Sequence, residues 1–234
     1  MCGRFVGNFN TQDLLDEILA AGTGVTVRAE TDLPPRLVNH NAAPTQPWVI
    51  VRADGSGLLL ETALWGLVPS WSKDPSVASK MINARSETVT EKPSFRGLVR
   101  GHRAVVPVSG FYEWDRTDSK NKRPYFVPRA DGRTMWVAGL WTASPSLDGT
   151  HTFSMLTRES LDDLAAIHHR SPVQLDMSDA LSWACDPVAP LHLVTLVDPP
   201  RLAPYEVGRE VNSVRNNHPG LTEPVVPGEP DTLF

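Results

Sequence analysis

Cysteine is scarce in this sequence: Cys2 and Cys185 are the only two among 234 residues. They do not form a pair at metal-ligand spacing, which excludes the usual cysteine-rich zinc site. Two thiols in a chain expected to work in a reducing compartment also predict no disulfide. We therefore expect neither a metal nor another cofactor, and we expect Cys185, in a predicted short helix, to pack as a small hydrophobic residue.

Long apolar runs are absent as well. No segment approaches the roughly 20 consecutive apolar residues that a membrane-spanning helix needs. The first part of the chain also lacks the basic start and apolar stretch of a secretory signal. These two absences predict a cytoplasmic protein that does not contact membranes.

Positive charge is in short supply overall, since 22 Lys and Arg oppose 27 Asp and Glu for a net charge of −5. This balance argues against a broadly basic protein that coats DNA. Residues 80–133, however, contain 12 Lys or Arg and 6 Asp or Glu, a local net charge of +6. Such a segment suits local contact with a polyanion, although a solvated charged loop explains it equally well.

The hydrophobic pattern predicts a single α+β domain. Short strand-like runs joined by tight turns favour antiparallel pairing over a parallel sheet with crossover helices. We expect a large, curved, mainly antiparallel, barrel-like sheet core with a few flanking helices. The predicted helices span residues 11–20, 159–167 and 178–185, and residues 205–214 read as an extended segment.

If Met1 is removed, Cys2 carries two reactive groups, a thiol and a free α-amine. A small second side chain usually permits that removal. The thiol, of reference pKa about 8.5, and the α-amine, of pKa about 7.7–8.0, are then both expected to be partly deprotonated at neutral pH. The amine can form a Schiff base with an aldehyde, and the thiol can close a thiazolidine ring on it. The same thiol can instead attack an amide or an ester. Cys2 is otherwise an ordinary residue at the start of a strand.

Seven separated motifs together resemble one family, the SOS-response-associated peptidase (SRAP) domain family. In chain order they are Cys-Gly-Arg-Phe (2–5), His-Asn-Ala-Ala-Pro-Thr (40–45), Trp-Gly-Leu-Val-Pro-Ser-Trp (65–71), Asn-Ala-Arg-Ser-Glu (83–87), Gly-Phe-Tyr-Glu-Trp (110–114), His-x-Arg-x-Pro (168–172) and Val-Asn-Ser-Val (211–214). The resemblance covers residues 2–226 and leaves 227–234 as a Pro-rich tail. His169 and Ser171 depart from the family's usual residues, and the order of the motif selects His168 over His169 as the catalytic histidine.

The resemblance implies a protein that senses abasic sites in single-stranded DNA and crosslinks to them through Cys2. An open abasic sugar is an aldehyde, which suits the aminothiol chemistry of Cys2. The implied catalytic partners are Asn83, which holds the nucleophile, Glu113, whose aromatic neighbours are expected to raise its pKa, and His168, which shuttles protons. The implied DNA contacts are Arg4, Asn41, Pro44, Trp71, Arg85, Thr157 and Arg170.

Arginine forks are suited to phosphates, and Trp71 and Pro44 to stacking on bases or wedging beside them. We expect a monomer that works in the cytoplasm and associates with the nucleoid when bound to DNA. Two other functions stay open on the sequence. One is an N-terminal-nucleophile cysteine peptidase or autoprocessing amidase with His168 as base. The other is a non-enzymatic single-strand binding module that uses residues 80–133.

Overall fold

A computed structural model of the chain describes residues 2–21, 24, 26–55, 57–115, 117–118 and 120–225. The predicted tail, 227–234, lies outside the described residues. The strands are β1 (Phe5–Asn10), β2 (Thr26–Ala29), β3 (Arg36–Ala42), β4 (Pro47–Asp54), β5 (Gly57–Trp65), β6 (Asn83–Arg85), β7 (Arg103–Val108), β8 (Gly110–Asp115), β9 (Arg123–Val127), β10 (Met135–Ala143), β11 (His151–Glu159), β12 (Arg170–Pro172), β13 (Gln174–Leu175) and β14 (Tyr205–Glu206). The helices are α1 (Thr11–Ala20), α2 (Asp162–Ile167), α3 (Met177–Cys185) and α4 (Leu191–Thr195).

The strands form two sheets. One has five strands in the order β14-β9-β8-β1-β3, and the other follows the path β12-β11-β10-β7-β4-β5-β2. Because β11 also pairs with β5, the strands β5, β4, β7, β10 and β11 close into a ring. Parallel pairing occurs between β2 and β5, β11 and β5, and β11 and β6. The remaining pairs are antiparallel, so the predicted α+β class with a mainly antiparallel core is confirmed, with two sheets in place of one.

An aromatic cluster joins the two sheets near the start of the chain. The ring of Phe5, on β1, lies 5.4 Å from the ring of Trp48 and 4.8 Å from that of Trp65. Trp48 and Trp65 belong to β4 and β5 of the closed ring, and all three side chains are buried. Aromatic pairs at these separations contribute about 0.5–1.5 kcal/mol beyond their burial. The cluster therefore anchors β1, and with it Cys2, against the larger sheet.

Helix α1 forms where the sequence predicts it. Asn10 accepts a hydrogen bond from Gln12 N at 2.9 Å and caps the first turn, while Leu14 and Ile18 are buried. On the same helix, the Glu17 carboxylate accepts hydrogen bonds from Thr134 Oγ1 at 2.7 Å and Trp136 Nε1 at 2.9 Å. These two bonds fix the helix to β10 and to the residue before it.

Two predicted segments differ from the structure. The predicted helix 159–167 begins only at Asp162, because Arg158 and Glu159 continue β11 and pair with β12. The extended segment 205–214 is strand only at Tyr205–Glu206, and Arg209–Asn212 forms a 3₁₀ turn. Among the described residues, no helix is long and apolar enough to cross a membrane.

The aromatic cluster makes a prediction for Gly7. A Cβ at this position would lie 1.9 Å from the Trp48 ring, and a hydrogen bond from Trp48 Nε1 to the Pro107 carbonyl at 2.9 Å holds that ring. We expect Gly7→Ala to lower the free energy of unfolding by about 1–3 kcal/mol, the usual cost of overpacking. The measurement is urea unfolding followed by tryptophan fluorescence. Gly97→Ala is the control, because a Cβ there meets nothing within 4 Å; equal effects of the two substitutions would contradict the prediction.

Candidate functional site

The four predicted catalytic residues come from distant parts of the chain and meet at one edge of β8. Cys2 precedes β1, which pairs with β8. Glu113 lies on β8 itself, and His168 ends α2, which packs against β8. Asn83 begins β6, a short strand that pairs with β11. The strand pairing therefore brings together four residues that are far apart in the sequence.

Cys2 is fully buried, and hydrogen bonds at its carbonyl and its thiol hold it in place. Asn83 Nδ2 donates a hydrogen bond to the Cys2 carbonyl at 2.6 Å. The Cys2 thiol donates to the Arg4 carbonyl, with 3.7 Å between sulfur and oxygen. Burial raises the pKa of this thiol to about 12, and the nearby Glu113 charge adds to the effect. With Met1 attached, burial thus favours the protonated thiol, whereas the sequence predicts a partly ionised thiol once Met1 is removed.

Glu113 and His168 form a buried acid–base pair. Glu113 Oε2 lies 3.8 Å from His168 Nδ1, and the exposed fractions of the two side chains are 1% and 5%. The backbone N–H of Arg170 donates to His168 Nδ1 at 3.0 Å. The Arg170 carbonyl lies 3.1 Å from the same nitrogen, so Nδ1 accepts from the Arg170 N–H in one tautomer and donates to the Arg170 carbonyl in the other. His169 is exposed and its ring lies 4.4 Å from that of His168.

Arg170 lies in an internal network. Its guanidinium donates to both Glu87 carboxylate oxygens, at 2.6 and 2.9 Å, and to the carbonyl of Thr157 at 2.6 Å. Thr157 is fully buried, and its hydroxyl accepts a further bond from Arg170 at 3.2 Å. The Arg170 bonds lower the pKa of Glu87. Because the backbone of Arg170 also contacts His168, this network sets the position of the imidazole.

Asn41 lies in a second internal network. Its side chain is buried, and Nδ2 donates to the carbonyls of Val211, Ser213 and Asn216 at 3.3, 3.0 and 2.9 Å. Its Oδ1 accepts from Arg4 Nη1 at 2.7 Å, and the same nitrogen donates to the Val211 carbonyl at 2.9 Å. Asn41 thus ties the segment that contains the Val-Asn-Ser-Val motif to the start of the chain.

The remaining predicted DNA contacts reach the surface. The Trp71 side chain is 68% exposed, although it is a large apolar group. Arg85 is exposed on β6, two residues after Asn83, so both side chains extend from the same face of that strand. Pro44 is half-buried in the turn between β3 and β4. Each of the three is placed where a bound strand can touch it.

Sequence reasoning missed part of this region. Glu87 ends the Asn-Ala-Arg-Ser-Glu motif, which marks it as a candidate site residue but does not reveal its pairing with Arg170. Trp114, Arg209 and Asn212 join Arg4 around a cleft of about 520 Å³. The described residues contain no group of three or more His, Cys, Asp or Glu side chains that could hold a metal ion.

Comparison with known proteins gives a consistent result. A family model described as SOS response associated peptidase (SRAP) matches residues 1–214. The chain is 33% identical over 229 residues to "Abasic site processing protein YoqW" of Bacillus subtilis (strain 168), and the match covers 95% of this chain and 99% of that protein. It is 34% identical over 206 residues to "Abasic site processing protein HMCES" of Gallus gallus, with 76% of this chain and 61% of that protein covered.

Solved structures share the fold. A protein from Bacteroides thetaiotaomicron matches with a TM-score of 0.75 and 20% identity, over 96% of this chain and 100% of its own. A second, from Bordetella bronchiseptica, matches with a TM-score of 0.68 and 24% identity over 88% of this chain and 99% of its own. At these identities the structural matches support the fold alone.

The buried thiol makes a prediction about reactivity. At about pH 8, a thiol of pKa about 12 is ionised to about one part in 10⁴, so we expect alkylation of Cys2 to be about 10³-fold slower than for an unperturbed cysteine. The measurement is iodoacetamide labelling of Cys185→Ser protein that retains Met1, in which Cys2 is the remaining thiol. Because the thiolate fraction grows tenfold per pH unit below the pKa, the rate should keep rising beyond about pH 10. A plateau near pH 8.5 would contradict the raised pKa, and urea-unfolded protein is the control.

Proposed function

Because the chain belongs to the SOS response associated peptidase (SRAP) family, we propose that it recognises abasic sites in single-stranded DNA and crosslinks to them through Cys2. The names of its relatives, abasic site processing proteins, support the substrate. The observation that carries the chemistry is the placement of a buried aminothiol residue beside a carboxyl group and an imidazole. The crosslink would shield the lesion from strand cleavage.

The reaction joins an aldehyde to an aminothiol and releases water. Removal of Met1 frees the Cys2 α-amine, whose nitrogen attacks C1′ of the ring-opened sugar. The resulting carbinolamine loses its hydroxyl as water, which leaves a C=N bond. The Cys2 S–H then adds across that bond, with sulfur bonding to C1′ and the proton passing to nitrogen. The product is a thiazolidine, and no oxidant or cofactor takes part.

The protonation state of the thiol favours this order of steps. Burial and the Glu113 carboxyl group both disfavour the thiolate, which is the reactive form of a cysteine. A protonated thiol does not hinder a first step made by the amine, and it brings the proton that ring closure requires. A cysteine peptidase, in contrast, needs a thiolate or a base that forms one. The carboxyl group near the sulfur disfavours that thiolate, which favours the crosslinking scheme over the peptidase alternative.

The neighbouring residues have separate roles in this scheme. Glu113 receives a proton from the attacking amine and returns one to the departing hydroxyl, a task suited to a buried carboxyl group. His168 shuttles protons, and the backbone of Arg170 holds its ring at Nδ1. Asn83 orients Cys2 through its carbonyl. Its Oδ1 is buried and accepts no hydrogen bond from the described residues, which leaves an acceptor for the amine or for a sugar hydroxyl.

The DNA contacts divide into exposed and buried residues. We assign Arg85 to a phosphate, and Trp71 and Pro44 to stacking or wedging at bases. Arg4 keeps part of its guanidinium at the surface of the cleft and can also meet a phosphate. Asn41, Thr157 and Arg170 are buried, so we propose that they act mainly by positioning Arg4 and His168. In this scheme the chain works as a monomer on DNA in the cytoplasm.

The amine and the thiol can be tested separately. We expect wild-type protein without Met1 to form an adduct with abasic single-stranded DNA whose mass equals the sum of the reactants minus one water. Cys2→Ala should form an imine that borohydride traps, but no stable adduct without reductant. Acetylation of the N-terminus should abolish both products. Intact mass spectrometry measures all three, and a full yield of adduct from the acetylated protein would refute the mechanism.

The acid–base pair can be tested by the rate of crosslinking. We expect Glu113→Gln, which keeps the shape of the side chain, to slow imine formation by about 10²–10⁴-fold. His168→Ala should slow formation or reversal more than it weakens DNA binding. His169→Ala, on an exposed neighbour, is the matched control and should have little effect. Time courses at saturating protein give the rates. If neither Glu113→Gln nor His168→Ala changes them, water performs the proton transfers.

A further inference from the structure

A cationic cleft lies close to the proposed reaction site. It is formed by residues 120–122, just before β9, together with the 3₁₀ turn Arg209–Asn212, and its volume is about 520 Å³. Its lining residues are Arg4, Trp114, Lys120, Asn121, Lys122, Arg209 and Asn212. Four of these carry a positive charge, and no acidic residue is among the described residues that line it. The cleft is therefore a region of concentrated positive charge on a protein of net charge −5.

Acidic residues near the cleft have other partners, and Asp118 Oδ1 accepts from the backbone N–H of Lys120 at 2.9 Å. Arg123 pairs with Asp115 at 2.6 Å and with Glu206 at 3.3 Å. Glu210 lies 3.5 Å from His218 Nε2. Lys120 and Lys122 are exposed, and Arg209 donates to the Asn121 side chain, a neutral group. The two lysine charges thus stay available to an anion.

The position of the cleft relates it to Cys2. Arg4 is two residues from Cys2, which corresponds to at most about 7 Å of chain. Trp114 follows Glu113 on β8, and successive strand residues face opposite sides of a sheet. The cleft and the reaction site therefore lie on opposite faces at the same end of β8. Arg4 thus belongs both to the lining of the cleft and to the short segment that contains Cys2.

We propose that this cleft binds the DNA strand on one side of the abasic site, with Lys120, Lys122 and Arg209 contacting phosphates. This inference rests on the proposed function and adds a subsite to it. The Trp114 ring, with Arg4 5.8 Å from its centre, gives the cleft an aromatic wall for a base. Cations along a groove with an aromatic platform are the usual means of holding single strands without sequence preference. Lys120 and Lys122 then increase affinity and leave the crosslinking chemistry unchanged.

The test compares oligonucleotides extended on one side of the lesion. A short abasic oligonucleotide is extended by about five nucleotides, on either its 5′ or its 3′ side, and equilibrium affinities are measured by fluorescence anisotropy. We expect wild-type protein to gain affinity from extension, and Lys120→Gln/Lys122→Gln to reduce that gain by about tenfold on one side only. For the double variant, the slope of the logarithm of the binding constant against the logarithm of the salt concentration should be shallower than for wild type. The expected difference is about 0.7 for each phosphate that the variant no longer neutralises. Equal reductions on both sides, or no reduction, would overturn the proposal.

A matched control separates a local effect from a general decrease in charge. Arg133→Gln/Arg201→Gln removes the same charge from exposed residues outside the cleft and should behave as wild type. Crosslinking of the shortest oligonucleotide should proceed at the wild-type rate in both double variants. If neither the variants nor wild type crosslink, the proposed function fails. The same anisotropy series with undamaged oligonucleotides then still decides whether the cleft binds single strands.

Discussion

The packing of Phe5 against Trp48 and Trp65 is the contact on which the rest of the site depends. It joins the five-stranded sheet to the closed ring of strands at the first residue of β1. Because β1 pairs with β8, the same contact places Cys2 within reach of Glu113. An N-terminal residue is ordinarily poorly ordered unless its chain is tied down. Here the aromatic cluster and the bond from Asn83 to the Cys2 carbonyl tie it down, so a terminal group can serve as a positioned reactant.

Burial at this position has a chemical consequence as well as a structural one. Desolvation penalises the thiolate strongly and leaves the neutral thiol undisturbed. A protein that needed a thiolate would place a cation near the sulfur, whereas this site places the carboxyl group of Glu113 there. The arrangement suits a group that reacts second, after an imine has formed beside it. The order of two bond-forming steps can thus follow from the electrostatics of one buried side chain.

Local features of the sequence predicted local structure well. Helix α1 follows from the spacing of Leu14 and Ile18 and from the Asn10 cap, all of which lie within one short segment. The meeting of Cys2, Asn83, Glu113 and His168 followed from the resemblance, because no local pattern reports contacts across so many residues. The partners of Arg170 and Asn41 could not be predicted for the same reason. Glu87 is 83 residues from Arg170, and the Val211 carbonyl is 170 residues from Asn41.

The two long-range networks show which arginines near the site already have partners within the protein. An arginine in a motif suggests a phosphate contact, yet Arg170 already has a carboxylate and a carbonyl as partners. To bind a phosphate, the buried guanidinium would have to exchange these partners, although the Glu87 carboxylate itself is 46% exposed. Arg85 and the lysines of the cleft need no such exchange, since they are solvated before DNA arrives. In the proposed function, affinity for the strand is therefore assigned to the exposed cations, and Arg170 is assigned to positioning His168.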